Sequence, residues 1–522
     1  MDRTEQSVAA RAAGPKKVAR KRRPKAFVNW FGNVRLDVAD ILRPRSIDEL
    51  VAVVARAASK TPRACVRAIG SRHSLCAEPF AGAPGVETVL VDLKAHLNRV
   101  VHIDRAKLTV DVEAGAVLGD LLHALELEGL TLPMLGSAVL QTVGGAVATG
   151  THGSSYRVPA CLSDHVVALQ LLSGDGRLVW LTKEDKNRRL FDAARLSLGS
   201  LGIVTRLRLG VVPKFALRVT GIEFSGPEFR SALRSTVLEE PYHQWVYWFP
   251  YSGRFVCRLA HQVPLPAEPS VAAASWCSEE LRVCPLDVCG ALDYSAGVLA
   301  GIAAAWLREA GTSLAGACCG GAVDEVQEQF IAGEALASAR GETLDSRLAL
   351  TDERYAAAFA PRDLGRLVNN IRFAEYAVDL ARLFPLLDAL SALLLGADDA
   401  AAVGPGRRRR RLNYPCVDLR FAGPTDHRPL LSVERGHDTG TAYIGFRHYV
   451  YSRRDDQEAT ELLATVEECL RRFGCRTHWA KGNSLTGRSY VFSDNLDRRG
   501  LEVFAACKAQ LDPLAAFAPV DN

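Results

Sequence analysis

Between Met134 and Ser155 the chain reads MLGSAVLQTVGGAVATGTHGSS, with five glycines, four serines or threonines before Ser154, and little charge. Small residues let backbone N–H groups come close to a ligand's phosphates, and hydroxyls add donors without steric cost. A second loop of the same kind, Gly70–Ser74 (GSRHS), follows an extended run from Ala64 to Ile69. Either loop alone reads equally well as an ordinary turn. Together, with so little charge in the longer one, they favour a buried dinucleotide with a pyrophosphate in its middle.

Other nucleotide and nucleophile signatures are missing. No G-x-G-x-x-G opens a helix after the first strand and no Walker loop exists, which disfavours a nicotinamide Rossmann domain and a P-loop NTPase. No G-x-S-x-G elbow is present. The 13 cysteines are scattered, and Cys277, Cys284, Cys289 and the pair Cys318–Cys319 lack zinc-site spacing, so reduced intracellular thiols and no metal are expected. The formal charge of +5 comes from two runs, Lys16–Lys25 and Arg407–Arg411. Without them the body is mildly acidic, so no nucleic-acid face is expected. Each run reads as a solvated tail or loop, with targeting or an anionic partner as the alternatives.

The 522 residues suffice for two or three domains, and two fit the pattern best. Residues 1–29 form a basic tail, expected to be disordered. Residues 30–215 alternate strand and helix signals around the glycine loops. From 216 to 474 the chain turns to aromatic-rich strands such as His243–Tyr251, with a Cys- and Ala-rich helical insert near 270–350. Arg372–Leu390 starts as a strand and continues as a helix. Strands return at Cys416–Ala422 and Thr441–Tyr451, and 475–522 forms a C-terminal segment. The longest apolar stretch, Ser295–Leu307, has 13 residues and is too short to span a bilayer.

Four stretches taken together, NWFGN, GSRHS, QTVGGAVATGTHGS and HWAK, resemble the sugar-1,4-lactone (aldonolactone) oxidases of the vanillyl-alcohol-oxidase flavoprotein family. The likeness covers roughly 30–215, 370–392, 414–451 and 475–522; the insert and the arginine run have no counterpart. It implies an α+β, two-domain FAD-binding fold with a substrate (cap) domain, whose flavin site the C-terminal segment completes. It further implies oxidation of an aldono-1,4-lactone (D-arabinono-, L-galactono- or L-gulono-) at C2 to an ascorbate-type product, with O2 reduced to H2O2. Another alcohol substrate, a dehydrogenase, or an inactive flavin-binding scaffold are the alternatives.

By the same resemblance, FAD lies against Gly70, Ser71, Arg72, His73 and Ser74, then Gly136, Ser137, Gln141, Thr142, Gly144, Gly145, Ala148, Thr149, Thr151, His152 and Gly153. Gly202, Ile203, Val204, His478 and Lys481 complete that set. His73 fills the slot often bonded to the flavin 8α-methyl; non-covalent contact and a structural turn remain open. Arg72 stands where a glycine is more usual. Lys481 looks like the cation near flavin N1, and Asp418 and Arg420 match an acid–x–arginine pair whose acid is usually glutamate. Glu375 and Tyr376 match a segment where substrate contact and structural support are both open, and His478 and Trp479 could be core residues. Small-molecule lactone and O2 are the expected partners, peripheral membrane association is open, and the expected location is intracellular, cytoplasmic or organelle-associated.

Overall fold

A computed structural model of the chain describes residues 25–184, 186, 188–265, 340–345, 371–395, 412, 416–425, 427–449, 453–481 and 497–517. The basic tail lies outside them up to residue 24, but its last residues are ordered. Lys25–Val28 form β1, paired antiparallel with β2 (Arg35–Val38). The anchor is Phe27, fully buried with its ring 4.9 Å from that of Phe80.

The first part contains two main sheets. Strand β3 (Asp40–Leu42) is followed by α1 (Ile47–Ala58), whose N-cap Ser46 accepts from the Glu49 amide. With β4 (Cys65–Ile69) and β5 (Thr88–Asp92), β3 makes a small parallel sheet in the order β3-β5-β4. Burial on both faces explains the near-continuous apolar reading of β5. Next come β6 (Val100–Asp104), β7 (Thr109–Glu113), α2 (Leu118–Leu127), β8 (Leu130–Thr131) and the short α3 (Val143–Ala148). Strands β9 (Val166–Leu172) and β10 (Leu178–Thr182), helix α4 (Arg188–Ala194), β11 (Ile203–Gly210) and β12 (Val212–Pro213) complete this part. The second sheet is antiparallel, in the order β10-β9-β11-β7-β6.

An eight-stranded sheet dominates the rest. It begins at β13 (Ala216–Ser225), which leads through a Ser225–Glu228 capping box into α5 (Gly226–Ala232). Strands β14 (His243–Phe249), β15 (Arg254–Val263), β16 (Arg340–Asp345) and β17 (Ile371–Asp379) precede α6 (Leu383–Leu395). Then follow β18 (Val417–Ala422), β19 (Thr441–Tyr449), α7 (Arg453–Arg472) and β20 (Arg476–Thr477). The order is β16-β13-β15-β14-β18-β19-β17-β20. Strand β16 falls inside the expected helical insert: Arg340–Asp345 pairs with β13 instead of coiling. The rest of that insert, and Arg407–Arg411, lie outside the described residues.

Each part has its own core. Leu50, Val66, Leu121 and Phe191 belong to the first, and Phe229, Trp248, Tyr376, Phe446 and Leu463 to the second. Helix α8 (Arg498–Leu511) returns the chain to the first core through Phe504 and Leu511. The Val66 amide then donates to Ala516 O at 2.8 Å. The architecture is α+β. Among the described residues no helix is long and apolar enough to cross a membrane.

Candidate active site

The two glycine loops meet. The chain leaves β4 at Ile69, and Gly70 packs so tightly on the second loop that a Cβ there would sit 2.0 Å from Thr142 Oγ1. At the start of α3, a Cβ on Gly144 would lie 2.7 Å from the Ala114 Cβ and 2.9 Å from its carbonyl oxygen. These glycines therefore serve first to bring loop against loop and helix against strand end. Gly145 differs: among neighbours only Thr142 Oγ1, at 2.9 Å, comes within reach of a Cβ.

The NWFGN segment clamps GSRHS. Asn29 Nδ2 donates to Ser74 O (2.9 Å), Asn33 Nδ2 to Leu75 O (2.8 Å), and the Trp30 amide to Arg72 O (2.9 Å). Arg72 has φ +65, the left-handed region, which is why a glycine suits this slot. A non-glycine residue there costs about 1–2 kcal/mol. The Arg72 side chain is held by Asp92, 3.8 Å away, and lies 5.5 Å over the Phe27 ring. The Trp30 indole stacks on His73 with centroids 4.8 Å apart. Burial, helped by Lys94 and Lys481, pulls His73 down to about 4, so its imidazole is neutral at pH 7.

These loops line a groove enclosing about 860 Å³ of empty space, its open mouth included. Gly70–Ser74 form one wall, and Gln141, Thr142, Gly144, Gly145, Ala148 and Thr149 a second. The third is the turn Ser197–Gly199 with Gly202 and Val204. Ser71 Oγ, His73 Nδ1 and Ser197 Oγ are buried without a hydrogen-bond partner. Orphaned polar atoms beside a small-residue groove are what a long polar ligand would satisfy, so these residues fit a flavin dinucleotide.

Beyond His73 lies a chamber of about 1240 Å³, open mouth included. His73, Gln141 and Ala480 line both spaces, so they share a wall. The chamber's character is different. Trp30, Phe31, Trp245 and Phe373 supply aromatic surface, and Arg420, Arg447 and Lys481 supply cations. Arg420 lies 4.2 Å over Trp245, and Lys481 Nζ lies 4.5 Å over Phe373. Burial, opposed by Glu375, brings Lys481 down to about 8.

Both nearby acids are engaged behind the wall. Asp418 Oδ2 is 2.6 Å from Arg447 Nη2, across the β18–β19 pairing in which Asp418 faces Gly445. Glu375, 1% exposed, meets His152 Nε2 at 3.2 Å. His152 Nδ1 donates to Gly153 O (2.8 Å), which leaves Nε2 to face the Glu375 carboxylate. Burial would raise Glu375, but His152, then Lys481 and Arg420, outweigh it and hold its carboxyl well below the usual range. His478 is neutral, brought down to about 3 chiefly by burial. Its Nδ1 accepts from the Ala480 amide (3.1 Å), and its Nε2 donates to Gly150 O (3.0 Å). The ligand-capable atoms of His152, Glu375 and His478 lie within 4.8 Å of one another, yet these bonds already occupy both histidines.

Most of the residues expected from sequence thus gather on two adjoining walls, with Gly136, Ser137, Thr151, His152, His478 and Lys481 on the chamber side. Four expected residues line neither space. Ile203 points into the first core, because Val204 takes the groove side of the alternating strand. Gly153 sits against the Leu135 carbonyl, 2.4 Å from where its Cβ would be. Asp418 and Glu375 stand one layer back, holding Arg447 and His152. Tyr376 is core, donating to Glu467 (2.8 Å), and Trp479 Nε1 donates to Leu431 O (2.7 Å).

Sequence reasoning missed Arg447, Trp245, Phe373 and the Ser197–Gly199 turn. Alternation along β19 could have found Arg447, two residues beyond Gly445, the partner of Asp418. His448 is next along the strand, and its side chain lies outside the described residues.

The chain is similar to known proteins in both of its parts. A family model described as an FAD binding domain matches residues 38–182, and one described as D-arabinono-1,4-lactone oxidase matches 359–520. L-gulono-1,4-lactone dehydrogenase of Mycobacterium tuberculosis is 27% identical over 94% of this chain and 96% of its own length. L-gulonolactone oxidase of Mus musculus is 32% identical over 48% of this chain; that match spans 54%, about half, of the mouse protein. D-arabinono-1,4-lactone oxidase of Eremothecium gossypii is 35% identical over 48% of this chain and 45% of its own length. A solved structure of solvent-stable cholesterol oxidase superposes with TM-score 0.64 over 95% of this chain and 96% of that one, at 18% identity, which shows a shared fold. The first part thus matches an FAD-binding model and the second a lactone-oxidase model, and the chain is similar in both to the aldonolactone oxidases.

Proposed function

We propose that the protein binds FAD in the groove and oxidises the C2 hydroxyl of an aldono-1,4-lactone in the chamber, passing the electrons to O2 to give H2O2. Residues 30–215 and 475–522 would form the cofactor part, and 216–474 the substrate-facing part. The observation that carries this reading is the position of His73, on the wall shared by a small-residue groove and a cation-lined chamber. When bound, FAD supplies the acceptor for a hydride leaving an alcohol carbon.

The chain's own residues do the rest. Lys481, Arg420 and Arg447 face the chamber, where preorganised positive charge lowers the cost of the negative charge that develops on a substrate oxygen. Asp418 keeps Arg447 in place, and the His152–Glu375 pair stiffens the wall behind. Trp30 and Phe373 give apolar surface on which a sugar ring rests and from which water is excluded. The neutral imidazole of His73 has the free electron pair that attachment to the flavin 8α-methyl requires.

Two experiments test this reading. Oxygen uptake with D-arabinono-, L-galactono- and L-gulono-1,4-lactones should show turnover with H2O2 formed; no turnover on any of them sinks the substrate assignment. After acid precipitation the yellow colour should stay with the protein and be released in His73→Ala. Colour wholly in the wild-type supernatant rules out the bond. A dehydrogenase is the second reading, favoured by the near full-length match to a protein of that name. It predicts lactone turnover with an artificial acceptor and little oxygen uptake.

A further inference from the structure

The polar inventory of the chamber is lopsided. Three cations line it, and no carboxylate is among its described lining residues. Asp418 is taken by Arg447, and Glu375 by His152. Two further donors stand without a partner, Trp245 Nε1 and Arg420 Nε, on side chains that are each 6% exposed. Neither atom can accept a hydrogen bond. The acceptors that remain among the described wall residues are neutral, such as the Ser137 hydroxyl.

A ligand buried here is thus met mainly by donors. Each hydroxyl it carries brings a donor of its own, which costs free energy if left unmet. An open-chain polyol has a hydroxyl on every carbon. A 1,4-lactone of the same carbon skeleton replaces two of them with a carbonyl and a ring oxygen, both of which only accept. From this imbalance we propose that the chamber selects cyclic esters over open-chain alditols by reading acceptor oxygens, with Arg447 and Trp245 as specificity-determining residues. Arg447, fixed by Asp418 and lying 5.6 Å over Phe373, presents a charged donor beside Lys481. Trp245, a lining residue held under Arg420, carries a neutral one in its unpartnered Nε1.

The inference rests on the proposed substrate chamber, but its test does not need turnover. Binding of a 2-deoxy-1,4-lactone, which lacks the reacting hydroxyl, is measured by calorimetry on the flavin-loaded protein and compared with the alditol of equal carbon number. The wild type should bind the lactone about tenfold or more tightly than the alditol. Trp245→Phe keeps a ring under Arg420 and should lose several-fold of that preference. Arg447→Met should lose about tenfold, chiefly through weaker lactone binding. Since Arg447→Met bares the buried Asp418, the double variant Asp418→Asn/Arg447→Met is measured beside it and should show the same loss. A wild type that binds neither ligand, or binds the alditol as well as the lactone, overturns the proposal. So does an unchanged preference in both Trp245→Phe and the double variant. Retained lactone preference without lactone turnover would instead sink the proposed reaction and leave this inference standing.

Discussion

The groove takes its walls mainly from three compact segments, 70–74, 141–149 and 197–204, while the chamber joins residues as distant as Trp30, Trp245, Arg420 and Lys481. Described residues on the groove walls are mostly small and uncharged, whereas the chamber concentrates cations on aromatic rings. The difference follows from what each must do. A groove that holds a dinucleotide needs close backbone approach, which glycine and hydroxyl residues supply. A chamber that steers chemistry needs charge placed at one point, which only the tertiary fold can assemble.

Substitutions can separate the two regions. The largest effect belongs to the chamber. Lys481→Met and Arg420→Ala should keep bound flavin yet slow its anaerobic reduction by lactone about 10²–10³-fold, some 3–4 kcal/mol of transition-state stabilisation. Normal reduction rates in both would remove the cations from the mechanism. In the groove, Gly144→Val would drive a side chain into Ala114, at an expected cost of about 1–3 kcal/mol in stability. A lowered melting temperature checks this. Gly145→Ala meets only the Thr142 hydroxyl, so it should spare the fold more than it spares flavin content. Equal melting temperatures for the two variants would show that the helix start does not pack as described.

A smaller effect comes from pH. Lys481 is depressed to about 8, so its cation is present below that pH and lost above it. Between pH 7 and 9 the flavin-reduction rate should fall about tenfold in wild type, as the protonated fraction does. It should stay low and flat in Lys481→Met, and a wild-type rate that rises over this interval would contradict the role of the cation. The smallest effect is at the seam. Arg72→Gly relieves a left-handed backbone worth about 1–2 kcal/mol but gives up the Asp92 contact, worth up to about 1 kcal/mol. Thermal melts should therefore agree within a few degrees.

The same contrast explains what could be read from the sequence. The groove was legible because many of its lining residues are contiguous and chemically biased: GSRHS and QTVGG stand out from any average stretch. Even there, periodicity within a strand decided between Ile203 and Val204, and the Ser197–Gly199 turn passed as an ordinary loop. Of the chamber's cations, only Arg420 and Lys481 were legible, where the family resemblance reached them. Trp245 lies on β14, whose aromatic pattern reads as core, and Arg447 lies on β19, where alternation from Gly445 marks it only once Gly445 is paired with Asp418. Their roles come from the β14-β18-β19-β17 order, which joins segments no local rule would pair. Asp418 was legible as a residue but not as a partner, because its salt bridge crosses between strands.

The central claim is that one flavin lies in the groove and meets a lactone in the chamber. Anaerobic titration of the purified protein with aldono-1,4-lactones, followed through the flavin absorption band, tests it most directly. The expected result is a yellow protein whose band bleaches with one two-electron equivalent of lactone. A colourless protein, or a yellow one that no lactone bleaches, would contradict it.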